Sequence, residues 1–240
     1  MRSVLKTTIR LCTAATLISL PALADVVFTD TTFPTANYSA TLYKNDVGMD
    51  VSWGQCAACG NPGQALQILE DGTSGDSSAL ALLNSTFTYD PSISGPIGSI
   101  NASVDKDITL SLPATGTNSF HPLIEQDGNF YFATIFGPGL VDATTSGWNN
   151  IAQSGLTAAD FTQYDFTTGS TLAGHPDFAG DTLTFGIVQT TYLPGPESEE
   201  VDYDNLNIAV TSAPEPSCLL PFAGLLACLF VRRRPLAHAK

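Results

Sequence analysis

From Val26 onward the chain runs in short stretches rich in Val, Ile, Leu, Thr, Phe and Tyr, punctuated by clusters of Gly, Pro, Asn and Asp. Nowhere does an apolar stripe hold helical spacing for three turns, whereas alternation recurs. Leu183, Phe185 and Ile187 alternate with Thr182, Thr184 and Gly186, and Leu206, Ile208 and Val210 with Asn205, Asn207 and Ala209. Each such segment presents one face to a core and the other to water. The pattern predicts strands over Val26–Phe33, Tyr38–Tyr43, Met49–Trp53, Ala65–Leu69, Ala79–Tyr89, Gly98–Val104, Asp107–Leu112, Phe120–Glu125, Asn129–Phe136, Tyr164–Phe166, Asp181–Thr190 and Asp202–Thr211. Asp127-Gly128 supplies the positive φ values of a tight hairpin turn. One helical turn is expected after Thr157, with that residue as N-cap and Asp160 three positions on. An all-β fold follows, a single antiparallel sandwich or barrel with no internal repeat.

The two ends read differently. Arg2, Lys6 and Arg10 precede a short apolar run from Leu11 to Leu20, and Ala22-Leu23-Ala24 offers a small-x-small cleavage site. Residues 1–24 are therefore expected to be a signal peptide, leaving Asp25 as the mature N-terminus and directing export. Near the other end, Pro214-Glu215-Pro216 is followed by an apolar segment, Cys218 to Val231, and then by Arg232, Arg233 and Arg234. Those fourteen residues rise only ~21 Å as a helix, short of a hydrocarbon core of ~30 Å. Pro221 interrupts them as well. Such a segment engages the inner membrane transiently, with the arginines held in the cytoplasm.

On these residues the C-terminus resembles the PEP-CTERM tail of Gram-negative surface proteins. The resemblance implies an exosortase-type processing enzyme as partner and the cell envelope surface or extracellular matrix as destination. The expected organisation is a β-sandwich over 25–211, a linker with the Pro-Glu-Pro motif over 212–216, a hydrophobic sorting helix over 217–231 and a basic tail over 232–240.

Removing both signals changes the charge picture. Between residues 25 and 213 only Lys44 and Lys106 are basic, against 22 acidic residues, a formal charge of −20. Such a surface repels nucleic acid and anionic lipid, so neither is a partner. Cys56 and Cys59 are the only cysteines in that span. A Cys-x-x-Cys pair can be a redox site or half of a zinc site. With the rest of a zinc site lacking and loop residues following, the pair reads as a small structural disulfide, contributing about 2 kcal/mol.

The turn and strand chemistry of Gly60 to Ile68, Thr86 to Pro91 and Val201 to Ile208 resembles the jelly-roll domains of bacterial extracellular proteins, and is similar to carbohydrate-binding modules and concanavalin-like sandwiches. This implies a jelly-roll sandwich.

Three kinds of chemistry are then in view. Asp202 and Asp204 alternate on one strand, with Glu199 and Glu200 just upstream and Asp30 on the opening strand. Calcium takes six to eight oxygens, and this cluster would supply several. The resemblance likewise implies a calcium ligand on the last strand near the first. The competing reading has Asp204-Asn205 closing a bulge and the glutamates solvated. Asp71 to Asp76 lacks regular ligand spacing and reads as a polar turn. Sugar recognition uses aromatic platforms flanked by amides. Trp148, followed by Asn149 and Asn150, and Trp53 are the candidates, although Trp53 continues the apolar alternation of Met49 and Val51 and suits a core equally. Catalysis has little support: no Gly-x-Ser-x-Gly elbow accompanies His121 or His175, and a glycosidase would need two carboxylates in separated environments, for which Glu70 with Glu125 could be drafted. The sequence thus points to a secreted, non-catalytic surface or biofilm-matrix protein contacting exopolysaccharide. A polysaccharide-acting enzyme on a concanavalin-like scaffold and a structural matrix protein with no specific ligand are the alternatives.

Overall fold

The computed structural model describes residues 25–73, 75–112, 117–133 and 147–213. The expected signal peptide, sorting motif (Pro214, Glu215, Pro216), apolar segment and arginine cluster lie outside them. Thirteen strands occur among the described residues. They are β1 (Val26–Asp30), β2 (Tyr38–Lys44), β3 (Asp50–Gly60), β4 (Gly63–Gly72), β5 (Asp76–Tyr89), β6 (Ile97–Leu112), β7 (Thr117–Gln126), β8 (Asn129–Ala133), β9 (Asn149–Leu156), β10 (Phe161–Asp165), β11 (Ser170–Leu172), β12 (Leu183–Leu193) and β13 (Glu197–Ser212).

All pairings are antiparallel, and they build two sheets. A six-stranded sheet runs β3-β4-β13-β6-β9, with β1 also on β13; a seven-stranded sheet runs β11-β10-β8-β7-β12-β5-β2. The architecture is the expected antiparallel β-sandwich of jelly-roll type. Its core lies between the sheets, where Leu66, Ile68, Val104, Val201, Tyr203 and Ile208 of the first meet Leu80, Leu82, Phe120, Ile124, Phe185 and Ile187 of the second.

The local signals behave as their chemistry dictates. Asp127 and Gly128 sit at φ 54° and 77° between β7 and β8. Thr157 and Asp160 form a reciprocal capping box around the short 3-10 turn Ala158–Asp160. Cys56 and Cys59 are disulfide-bonded, with Cα atoms 5.6 Å apart.

Other boundaries differ from expectation for physical reasons. Gly98–Val104 and Asp107–Leu112 are one continuous strand, because Asp105, Lys106 and Asp107 pair in register with Asp204, Tyr203 and Asp202. The last strand begins before Asp202: Glu197, Glu199 and Glu200 already belong to β13. Trp148-Asn149-Asn150 leads directly into β9, an edge strand that only Ile151 and Leu156 tie to the core.

The seven-stranded sheet curls until its margins approach each other. Tyr43 on β2 and Tyr164 on β10 are separated in the sheet by four strands, yet their rings meet edge-on at 6.5 Å. A second apolar cluster of Ala79, Ala81, Leu123, Phe132, Phe166 and Val188 fills the hollow they enclose. Gly169, at φ 68° in the β10–β11 turn, lies so close to the Tyr43 ring that a Cβ would fall 2.1 Å from it. Gly169→Ala is therefore expected to cost on the order of 1–3 kcal/mol in chemical denaturation. Unchanged stability would mean that the turn does not close on Tyr43.

Candidate functional site

β13 organises a broad polar face. Val201 and Tyr203 point into the core, so the alternation sends Glu200, Asp202 and Asp204 to the outer side of the six-stranded sheet. At Asp204 the pairing with β6 slips, and Asn205 adopts φ 53°. This bulge resets the phase, so that Leu206, Ile208 and Val210 again face inward. On the neighbouring strand, Asp105 lies opposite Asp204 and Asp107 opposite Asp202. Four carboxylates thus share two rungs of one face, with Glu200 beside them.

Amides and main-chain N–H groups hold this cluster together. Asn150 Nδ2 donates to Asp105 at 2.7 Å and Asn205 Nδ2 at 2.8 Å. Gly147 N donates to Asp107 at 2.7 Å. Asp204 accepts from the backbone of Asn61 at 2.6 Å and of Asn205 at 2.7 Å. The β3–β4 hairpin that carries the disulfide is thereby latched over this face. Gln67 and Thr109 donate to Glu200 at 2.9 and 2.7 Å.

Asp202 is the floor of the cluster, 1% exposed, and its Oδ1 lacks a hydrogen-bond partner. Burial first, then the charges of Glu200 and Asp107, push its carboxyl up to about 6 despite a hydrogen bond from Gln67. Farther along the same strands, Asn101, Ser103, Gln153, Ser154 and Asn207, with Ala102 and Ala152 between them, line a pocket of about 210 Å³. The whole face offers carboxylate, carboxamide and hydroxyl groups, which match the hydroxyl edges of sugars.

The residues singled out from sequence distribute unevenly. Asp202 and Asp204 do share a side, and Trp148, half-buried, sits beside Gly147, whose N–H meets Asp107. Glu199 does not join them. Its Oε1 accepts from Asn118 of the opposite sheet, so it faces the interior. Asp30 is also elsewhere, taking Thr32 N at 2.9 Å, Phe33 N at 2.8 Å, Tyr38 Oη at 3.0 Å and Asn84 Nδ2 at 3.3 Å. The four carboxylates expected to share a calcium ion are therefore separated, because strand alternation puts Glu199 and Asp202 on opposite faces. Among the described residues no three His, Cys, Asp or Glu side chains are grouped to hold a metal.

The two tryptophans are divided as well. Trp53 packs against the core from β3, while Trp148 leads into β9 at the other margin of the same sheet. Four interstrand steps, about 19 Å, separate their strands, so they do not form one platform. Asn149 pairs with Lys106 at the start of β9, and Asn150 makes the contact to the cluster.

The drafted catalytic groups are scattered. Glu70 is buried between the sheets, and burial raises its carboxyl. Glu125 accepts from Gly128 N at the β7–β8 turn. His121 lies against Ala133 O and Thr190 Oγ1, and burial drives its ring down to about 4.

Asp105, Asp107 and Gln67 were not singled out in the sequence. Asp105 and Asp107 repeat the Asp-x-Asp alternation of Asp202 and Asp204, and that repetition was the available signal.

No protein-family profile and no curated protein matches the sequence. Among solved structures, the chain is similar to a family 11 carbohydrate-binding module from Clostridium thermocellum in complex with a β-1,3-1,4-mixed-linked tetrasaccharide. That pair is 14% identical with a TM-score of 0.44, over 81% of this chain and 99% of the module. The family 11 module of the cellulosomal cellulase Lic26A-Cel5E of the same organism gives 14% identity and a TM-score of 0.46, over 80% of this chain and 97% of that one. The CBM22-1 xylan-binding domain of Paenibacillus barcinonensis Xyn10C gives 10% and 0.37, over 81% of this chain and all of that domain, 100%.

Because the folded state holds the Asp202 proton more tightly than the unfolded chain, this group contributes fully below about pH 4. Its contribution is gone above about pH 6. Thermal stability is thus expected to fall as pH rises through that window. Asp202→Asn should remove a part on the order of 2–3 kcal/mol. An identical pH profile in wild type and variant would contradict the burial of an ionisable Asp202.

Proposed function

We propose that this chain is an exported, non-catalytic surface or matrix protein whose sandwich contacts exopolysaccharide through the outer face of the six-stranded sheet. One observation carries the reading. The amide and carboxylate cluster around Asp202 lies on the same strands, β6, β9 and β13, as the pocket that Asn101, Ser103, Gln153 and Asn207 line together with Ala102 and Ala152. Glycan hydroxyls need such paired donors and acceptors, and a saccharide chain is long enough to span both parts. Trp148, at the margin, would add an apolar ring for a pyranose face.

The electrostatics narrow the ligand. Of the two lysines between residues 25 and 213, Lys106 is buried between the sheets and Lys44 lies on the other sheet. Polymers rich in uronate or sulfate would be repelled by this face, and neutral or amine-bearing sugars admitted. Export through the residue 1–24 signal, and trimming at the Pro214-Glu215-Pro216 motif by an exosortase-type enzyme, place the protein at the envelope surface or in the matrix.

Affinity electrophoresis against a panel of neutral, amino and acidic glycans, run beside a reducing-end assay, tests the reading. Retardation by neutral or amino polymers without release of reducing ends is expected. Ser103→Ala combined with Asn207→Ala should weaken it about tenfold, the worth of one or two hydrogen bonds, with an unchanged unfolding midpoint. Retardation by none of the polymers would overturn the reading in favour of a matrix protein without a specific ligand. Release of reducing ends would overturn it in favour of an enzyme.

A further inference from the structure

A second polar cluster lies inside the sandwich and takes no part in the outer face. Lys106 of β6, Asn118 of β7 and Glu199 of β13 are 2%, 0% and 2% exposed. Lys106 Nζ contacts the side-chain oxygen of Asn118 and lies 3.4 Å from its main-chain oxygen. Asn118 Nδ2 donates to Glu199 Oε1. Glu199 Oε2, although buried, lacks a hydrogen-bond partner. Around them stand Tyr203, directly opposite Lys106 in the ladder, and Phe120, whose ring is 6.1 Å from that of Tyr203. Glu70 and Glu197 complete the ionisable surroundings of Glu199.

A lysine is almost never buried so fully unless its charge is paired. An ammonium and a carboxylate in an apolar interior carry a large desolvation cost, and proton transfer that leaves a neutral amine and a neutral acid relieves it. The amine is then a nucleophile held against a carboxamide carbon. The amide nitrogen on that carbon already points at a carboxyl group able to give it a proton. Nucleophile, electrophile and proton carrier are pre-positioned on three rigid strands, the condition under which an otherwise slow condensation proceeds.

We propose that Lys106 and Asn118 condense into an intramolecular isopeptide bond, with Glu199 relaying the protons. The Nζ lone pair adds to Asn118 Cγ, forming the new C–N bond. The Cγ–Nδ2 bond then breaks, with its electron pair leaving on nitrogen. The Lys106 ammonium gives up two protons in all. Both travel by way of Glu199 to the departing NH2 group, which leaves as ammonium, and Glu199 ends as it began. One primary amide and one ammonium become one secondary amide and one ammonium ion, with no oxidant or co-reactant. Burial, opposed by the hydrogen bond from Asn118, holds the Glu199 carboxyl up at about 7, suited to both taking and giving a proton near neutrality.

The product ties β6 of one sheet to β7 of the other, a covalent rivet through the core. It also converts two buried polar groups into one amide. An exported protein whose only disulfide among the described residues spans three positions gains from this a long-range cross-link.

The sequence makes the test direct, because Lys44 and Lys106 are the only tryptic sites between residues 25 and 213. The full-length chain as secreted is reduced, denatured and digested with trypsin, and the peptides are weighed. Cleavage after Lys44 but not after Lys106 is expected, and the peptide holding Lys106 and Asn118 should be lighter than its sequence by one ammonia. The Asn118→Ala chain should be cut after Lys106 under the same conditions, whether or not it folds. A wild-type peptide of full sequence mass, or an Asn118→Ala chain equally resistant, overturns the cross-link. Glu199→Gln is expected to leave the chain unlinked, and linkage at wild-type extent would overturn the part assigned to Glu199.

Discussion

The twofold period of β13 is the constraint from which the rest of this structure follows. A strand in the middle of a sheet can place each side chain in only one of two environments, and successive residues must alternate. Glu199 and Glu200 are adjacent in sequence, yet one enters the core and the other lies on the outer face. Asp202 follows Glu200, and Tyr203 follows Glu199. A single bulge at Asp204-Asn205 then shifts the phase, so that an acidic first half and an apolar second half both find suitable surroundings.

Two polar assemblies arise on either side of this one strand. On the outside, cross-strand aspartates face one another, and amides from Asn150, Asn205 and Gln67 hold the cluster together. Like charges directly opposite in a ladder are unfavourable, so such an arrangement persists where neighbouring donors neutralise it or where its acceptors serve recognition. On the inside, Asn118 of the facing sheet bridges Lys106 and Glu199. The outer face of the other sheet is closed by contrast, since Tyr43, Tyr164 and Phe166 fill its hollow with the chain's own rings. The six-stranded sheet is therefore the polar surface to which the proposed glycan contact is assigned.

Much of the fold was legible because its signals are local. Positive φ at Asp127-Gly128, the capping box of Thr157 and Asp160, and the alternation of Leu183 to Ile187 each depend on a few consecutive residues. The missed features depend on pairing. Asp105-Lys106-Asp107 looks like a break between strands until Asp204, Tyr203 and Asp202 are set opposite it. β9 carries too few apolar residues to declare itself, and it exists because β6 offers an open edge. The site was half legible for the same reason. Asp202 and Asp204 announce a shared face by their spacing, but Asp105 and Asp107 join them only through register. Trp53 and Trp148 look equivalent in sequence and end at opposite margins of one sheet. A lysine in the core is the least legible of all, since its burial depends on partners from two other strands.

Carboxyl labelling of the folded protein with a carbodiimide and a small amine, read out residue by residue by mass spectrometry, tests this partition of β13 most directly. Glu200 should label in the folded state, whereas Glu70 and Glu199 should label only on unfolding. Labelling of Glu199 at the rate of Glu200 in the folded protein would contradict the account.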